Sequence, residues 1–123
     1  MPSAVVPPGW PAEVRPPGAP DWVRSAVAWL LDLCPPDYRA HTVLTRHPLV
    51  LARFASWHVE AAAGAARHGL SRIRVELGGL VTPETRDAAV VALEREGARL
   101  AAAGRAVVLV ERALRGEEYV PRM

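Results

Sequence analysis

The chain has 123 residues, half of them apolar, which suits a single domain with a modest hydrophobic core. All fifteen basic residues are arginines, and the thirteen acidic residues leave a net charge of +2, a weak indication of nucleic-acid binding. The single cysteine, Cys34, excludes an internal disulfide framework and a zinc site built on CxxC pairs.

The N-terminal sequence lacks a basic region followed by an apolar core, so it does not resemble a signal peptide. The longest apolar runs, such as residues 26–31, are far shorter than the ~20 residues that a membrane-spanning helix needs. We therefore expect a soluble, cytoplasmic protein without a membrane partner.

Residues 1–19 are predicted to form a proline-rich, extended arm. Seven prolines lie within residues 1–20, and proline lacks a backbone donor and favours extended conformations. Trp10 either docks this arm on the helical body or belongs to a flexible tail.

A first helix is predicted over residues 20–34. Pro20 suits the first helical position, Asp21 favours the positive end of the helix dipole, and Pro35 and Pro36 end the helix. Apolar residues lie around most of the circumference of this helix, so we expect other parts of the protein to pack against more than one of its sides. The connector that follows, residues 35–47, includes a predicted helical turn around Thr42–Arg46.

Two long helices are predicted over residues 48–77 and 83–115. Pro48 opens the first of them, and Thr82 and Pro83 provide an N-cap and a first-position proline for the second. Glycines end both helices. Two helices of similar length joined by a short loop form an antiparallel hairpin. The sequence thus predicts an all-α fold, with one helical domain over residues 20–116 and a C-terminal tail over residues 117–123.

The predicted core consists of the larger apolar residues at helical spacing. These are Trp22, Trp29, Leu30, Leu33, Phe54, Trp57, Leu70, Ile73, Leu93, Leu100, Val107 and Leu114. Small residues at 61–66 and at Gly97, Ala101 and Gly104 permit close helix packing, either within the hairpin or between subunits.

No motif in the sequence predicts catalysis, and we expect no catalytic, cofactor-binding or metal-binding residue. The four histidines, at positions 41, 47, 58 and 68, lack HxxxH spacing. Cys34-Pro35 is the dipeptide of haem-regulatory motifs, but a dipeptide has almost no specificity, and a buried cysteine before a proline stop is the better explanation. A small-molecule, haem or metal sensor stays a secondary hypothesis.

Four arginines of the second helix form the candidate interaction surface: Arg53, Arg67, Arg72 and Arg74. Residues 48–82 carry these four cations against two glutamates, an excess of +2 that equals the net charge of the whole chain. Such a surface could contact nucleic-acid phosphates or an acidic protein partner.

Three stretches of the chain, Trp29–Arg39, Arg46–Arg53 and Glu94–Leu100, resemble those of small uncharacterised actinobacterial proteins rich in alanine and arginine. The resemblance spans roughly residues 15–116. It implies an all-helical bacterial cytoplasmic protein and carries no known activity or site.

The leading hypothesis is therefore a non-catalytic helical interaction or adaptor protein that forms a homodimer and binds an unidentified protein partner. A nucleic-acid-associated protein that uses the arginines is the first alternative.

Overall fold

Two long antiparallel helices dominate the computed structural model, which describes residues 5–122. In chain order, α1 spans Trp22–Asp32, a 3₁₀ helix spans Pro36–Ala40, α2 spans Thr42–Arg46, α3 spans Pro48–Leu77 and α4 spans Pro83–Leu114. The described residues contain no strand. The prediction of an all-α hairpin with a shorter N-terminal helix is confirmed.

Local sequence signals define the ends of the hairpin helices. Thr82 is the N-cap of α4, because its Oγ1 accepts the Thr85 N–H at 3.2 Å, and Pro83 follows in the first helical position. Gly116, with φ of +87°, adopts the left-handed conformation that commonly follows a helix. These residues place the ends of α4 without help from the rest of the fold.

Helix α1 is shorter than the predicted range of 20–34. Asp21 has φ of +63°, so the chain turns sharply before Trp22, and Asp21 stands outside the helix, not in its first turn. At the other end, the Leu33 and Cys34 N–H groups donate to carbonyls three residues back, at 3.1 and 3.0 Å. This tighter turn ends α1 before Pro35.

The arm preceding α1 docks on the helical body. Val14 is 3% exposed and belongs to the main core cluster, against which Trp10 packs. The Trp10 indole N–H donates to the Val14 carbonyl at 2.8 Å, and the Arg15 N–H donates to Ser25 Oγ of α1 at 2.9 Å.

A fully extended arm is therefore wrong for the part that the structure describes. Turn hydrogen bonds join Trp10 to Pro7, Val14 to Pro11, and Ala19 to Pro16, at 3.0–3.2 Å. The predicted arm also included residues 1–4, which lie outside the described residues.

The core has two parts. The larger cluster lies where α1, α2 and the arm cover one end of the hairpin, and Leu30, Leu44 and Leu51 are at most 1% exposed there. The smaller cluster, Val59, Ala66 and Leu100, continues between α3 and α4.

Four of the predicted core residues are buried: Leu30, Ile73, Leu100 and Val107. Phe54 and Trp57 were predicted in the core, and for them the prediction is wrong. They are 36% and 56% exposed because α4 and α1 pack against other sides of α3.

Helices α3 and α4 approach closely at Gly69. A methyl group at this position would lie 2.8 Å from Leu93 Cδ2 of α4, whereas a methyl group at Gly97 would meet no described atom within 4 Å. The two glycines therefore form a matched pair, one in a close contact and one in open space.

We expect Gly97→Ala to raise the free energy of unfolding by about 1 kcal/mol, the difference in helix propensity between the two residues. Gly69→Ala should gain less or lose stability, because Leu93 must move to admit the methyl group. Urea denaturation of both variants at one protein concentration measures the difference. Equal gains would contradict the close approach at Gly69.

Candidate interaction surface

Helix α3 carries apolar side chains on two sides. One side faces the core and includes Leu51, Ala55 and Val59, which are at most 2% exposed. The opposite side carries the α3 outer stripe, which consists of Val50, Phe54, Trp57 and Ala61. Spacings of four, three and four residues place these four side chains along one line of the helix.

The α3 outer stripe is only partly covered by the described part of the chain, where Tyr38 packs against Phe54. Val50 and Phe54 are each 36% exposed, Trp57 is 56% exposed, and Ala61 is also exposed. Single exposed apolar residues are ordinary, whereas a continuous row that includes two aromatic rings is typical of a binding surface.

The aromatic side chains of this surface hold one another in place. The Tyr38 ring, from the 3₁₀ helix, meets Phe54 edge-on at a centroid distance of 6.0 Å and an interplanar angle of 74°. Phe54 in turn lies 5.6 Å from the Trp57 ring. Such pairs contribute about 0.5–1.5 kcal/mol beyond their buried area, so the rings lose little freedom when a partner binds.

An ion-pair network fixes a cation beside Trp57. Arg53 Nη1 donates to both carboxylate oxygens of Glu111, at 3.2 and 3.3 Å, and Arg115 Nη2 lies 3.1 Å from Glu111 Oε2. Glu111 is only 7% exposed, so it provides a fixed anchor on α4. The Arg53 guanidinium carbon lies 5.7 Å from the centroid of the Trp57 ring, within cation–π range.

Sequence reasoning missed Glu111, although a signal for it exists. It lies four residues after Val107 and three before Leu114, in the apolar row of α4. A carboxylate in such a row is seldom buried without a cationic partner, and Arg53 and Arg115 are both cations.

Glu60 is the other charged residue beside the α3 outer stripe. It follows Arg53 by seven residues, which places the two side chains on the same flank of α3, about 10.5 Å apart along the axis. Glu60 is exposed and forms no ion pair within residues 5–122.

The four predicted arginines do not form one cluster. Arg53 is held by Glu111, and Arg67 lies fourteen residues further along α3, about 21 Å away. Arg72 lies 3.8 Å from Glu76, and Arg74 lies two residues beyond Arg72, on another side of the helix. A role for these arginines in binding nucleic acid stays a prediction.

The residues that could bind a metal ion or act as a nucleophile are also dispersed. Within the described residues, no group of three or more His, Cys, Asp or Glu side chains is placed to hold a metal ion. Cys34 is 7% exposed, and burial raises the pKa of its thiol while the Arg39 guanidinium opposes that shift. The thiol therefore stays protonated to a higher pH than a free cysteine.

We expect Cys34 to react slowly with a thiol reagent in the folded protein and fully after denaturation. Folding raises the pKa of the Cys34 thiol, so ionisation of this group does not lower the free energy of unfolding below the pKa of the unfolded thiol. As the pH rises from that value towards the pKa of the folded thiol, the free energy of unfolding declines. Timed labelling and urea denaturation across that pH window measure both effects, with Cys34→Ala as the control. Rapid native labelling at neutral pH would contradict the burial.

A cleft of about 680 Å³ lies between the N-terminal arm and the chain after α4. Its lining includes Trp10, Arg112 and Tyr119, together with Glu117 and Glu118. All of its charged side chains are exposed, so it lacks the buried polar groups that fix a small ligand. The α3 outer stripe is therefore the better candidate surface.

Comparisons with protein-family models, with curated proteins and with solved structures found no match. No helix in the part of the chain that the structure describes is long and apolar enough to span a membrane.

Proposed function

We propose that this chain is a non-catalytic helical interaction protein that self-associates through the α3 outer stripe. The observation that carries the proposal is Trp57, which is 56% exposed beside Phe54 and beneath the guanidinium of Arg53. Tryptophan, tyrosine and arginine are the residues that most often dominate binding energy at protein interfaces.

The rigidity of this surface supports the proposal. Phe54 lies between Tyr38 and Trp57, and Glu111 holds Arg53 from the neighbouring helix. Ordering a free side chain on binding costs about 0.5–1.5 kcal/mol, and side chains that are already held avoid part of that cost. The surface is thus arranged for binding before a partner arrives.

The length of α3 adds a second argument. Its 30 residues span about 45 Å, and the α3 outer stripe occupies the half nearest α1. An exposed row on a straight helix fits another helix better than it fits a small molecule. A second copy of this chain supplies such a helix in equal concentration.

The proposal is tested by size-exclusion chromatography with light scattering over a range of protein concentrations. Wild-type protein should give about twice the chain mass of 13.3 kDa, and Trp57→Ala should give the monomer mass at the same concentrations. Val91→Ala, at a residue of α4 that is 45% exposed, is the matched control and should stay dimeric. Circular dichroism should show the same helix content in all three proteins.

A wild-type protein that is monomeric at every concentration would overturn self-association. The main alternative is nucleic-acid binding, and the ultraviolet absorbance of the purified protein at low and high salt shows whether nucleic acid is bound. Co-purifying nucleic acid that dissociates at high salt would favour the nucleic-acid hypothesis.

A further inference from the structure

We infer that the second copy docks antiparallel, α3 against α3, about a two-fold axis near Trp57, so that Arg53 of each chain faces Glu60 of the other. This inference rests on the proposed self-association through the α3 outer stripe and specifies its geometry. It follows from the charges, the available hydrogen-bond donors and the sizes of the side chains along α3.

The charges favour the antiparallel direction. Arg53 and Glu60 lie on one flank of α3 and are seven residues apart. A two-fold axis midway between them, next to Trp57, brings each arginine opposite the glutamate of the other chain, and does so twice. A parallel two-fold dimer would instead put the flank with Arg53 and Glu60 on opposite sides of the interface in the two chains, so neither Arg53–Glu60 pair could form.

Arg53 has donors left for a second carboxylate. It uses Nη1 for both oxygens of Glu111, and no hydrogen bond from its Nε or Nη2 occurs among the described residues. Its side chain is 47% exposed, so these donors are accessible. Glu60 has no ion pair with any of residues 5–122 of its own chain. One arginine can therefore bind Glu111 of its own chain and Glu60 of the second copy together.

The side-chain sizes fit the same register. Val50 lies seven residues before Trp57, and Gly64 lies seven residues after it. An antiparallel copy centred on Trp57 therefore places Val50 of one chain against Gly64 of the other, and Phe54 against Glu60 and Ala61. Val50 thus meets a glycine and Phe54 meets an alanine on either side of the axis. The two Trp57 rings meet at the axis.

The first test is charge reversal at Glu60, because Arg53 also anchors the buried Glu111 and a change there would disturb the single chain. Glu60→Arg should weaken the dimer at least about tenfold, as judged by sedimentation at several concentrations. Glu94→Arg makes the same change at an exposed carboxylate of α4 and should leave the dimer unchanged. A dimer equally strong in both variants would overturn the Arg53–Glu60 pairing.

The second test measures the direction of the helices with a nitroxide label at Ser71→Cys, an exposed site fourteen residues after Trp57. The antiparallel dimer predicts a label separation of about 42 Å, from 28 residues at 1.5 Å each. A parallel dimer predicts labels within about 25 Å of each other, given helix axes 8–10 Å apart and flexible label arms. Wild-type protein treated with the same reagent controls for labelling at the buried Cys34.

The outcomes separate the two proposals. A dimer with the short distance overturns the antiparallel geometry and leaves self-association intact. A wild-type chain that stays monomeric overturns both. A dimer with the long distance that Glu60→Arg weakens supports both.

Discussion

Replacing Leu30 with alanine is expected to lower the free energy of unfolding by about 2–5 kcal/mol. Leu30 is fully buried in the larger core cluster, where α1 meets α3 and α4. Truncation removes apolar contacts and leaves a cavity that the long helices close only in part. Domains of this size are stable by about 5–15 kcal/mol in total, so this one change removes a large share.

Urea denaturation followed by circular dichroism measures the effect, at one protein concentration because self-association would add to stability. Leu80→Ala is the control, since Leu80 is 78% exposed in the turn between α3 and α4 and should change stability by less than about 0.5 kcal/mol. Similar losses for the two variants would contradict the packing of α1 on the hairpin.

Replacing Trp10 with alanine is expected to lower the free energy of unfolding by about 2–3 kcal/mol, because a half-buried indole leaves the core surface. The same change removes the hydrogen bond from the indole N–H to the Val14 carbonyl. We expect the arm to detach from α1, with faster cleavage by a glutamate-specific protease after the exposed Glu13.

Trp10→Phe separates the two contributions, since it keeps an aromatic ring and loses the N–H donor. It should cost about 1 kcal/mol, the usual net value of one such hydrogen bond. Urea denaturation and timed proteolysis give the two readouts. An alanine variant as stable and as protease-resistant as wild type would show that the arm contributes nothing to the fold.

Helix ends in the hairpin could be predicted because they depend on neighbours in the sequence. Pro48 and Pro83 open α3 and α4, and Gly116 follows α4 with the positive φ that glycine accepts most readily. The start of α1 could not be predicted in this way, since Asp21 adopts a left-handed conformation at the junction with the docked arm.

The sequence does not determine which side of α3 is buried against the rest of the protein. Both the side with Leu51 and Val59 and the side with Phe54 and Trp57 repeat at helical spacing. Periodicity shows that a row is apolar without showing which row meets α4. Aromatic size favoured the second row, yet the row of smaller residues is buried because it permits a closer approach of α4.

The surroundings of the predicted arginines could not be predicted from the sequence either. Arg53 was predicted from its charge alone, whereas its position beside Trp57 depends on Glu111, which lies 58 residues later in the chain. A contact at that separation has no local sequence signal. Only the packing of α4 on α3 brings the two residues together.

Many apolar side chains are buried at one end of the hairpin, and few are buried at the other. Between Ile73 and Leu100, a stretch that the structure describes throughout, no residue is buried. This distal part can therefore fray and re-form while the end near Leu30 and Leu51 stays folded, since little apolar area is lost when it opens. We expect its backbone amides to exchange with solvent through such local opening, and amides around Leu51 to exchange only when the whole domain unfolds. The α3 outer stripe then lies on the part of the hairpin that is expected to open least.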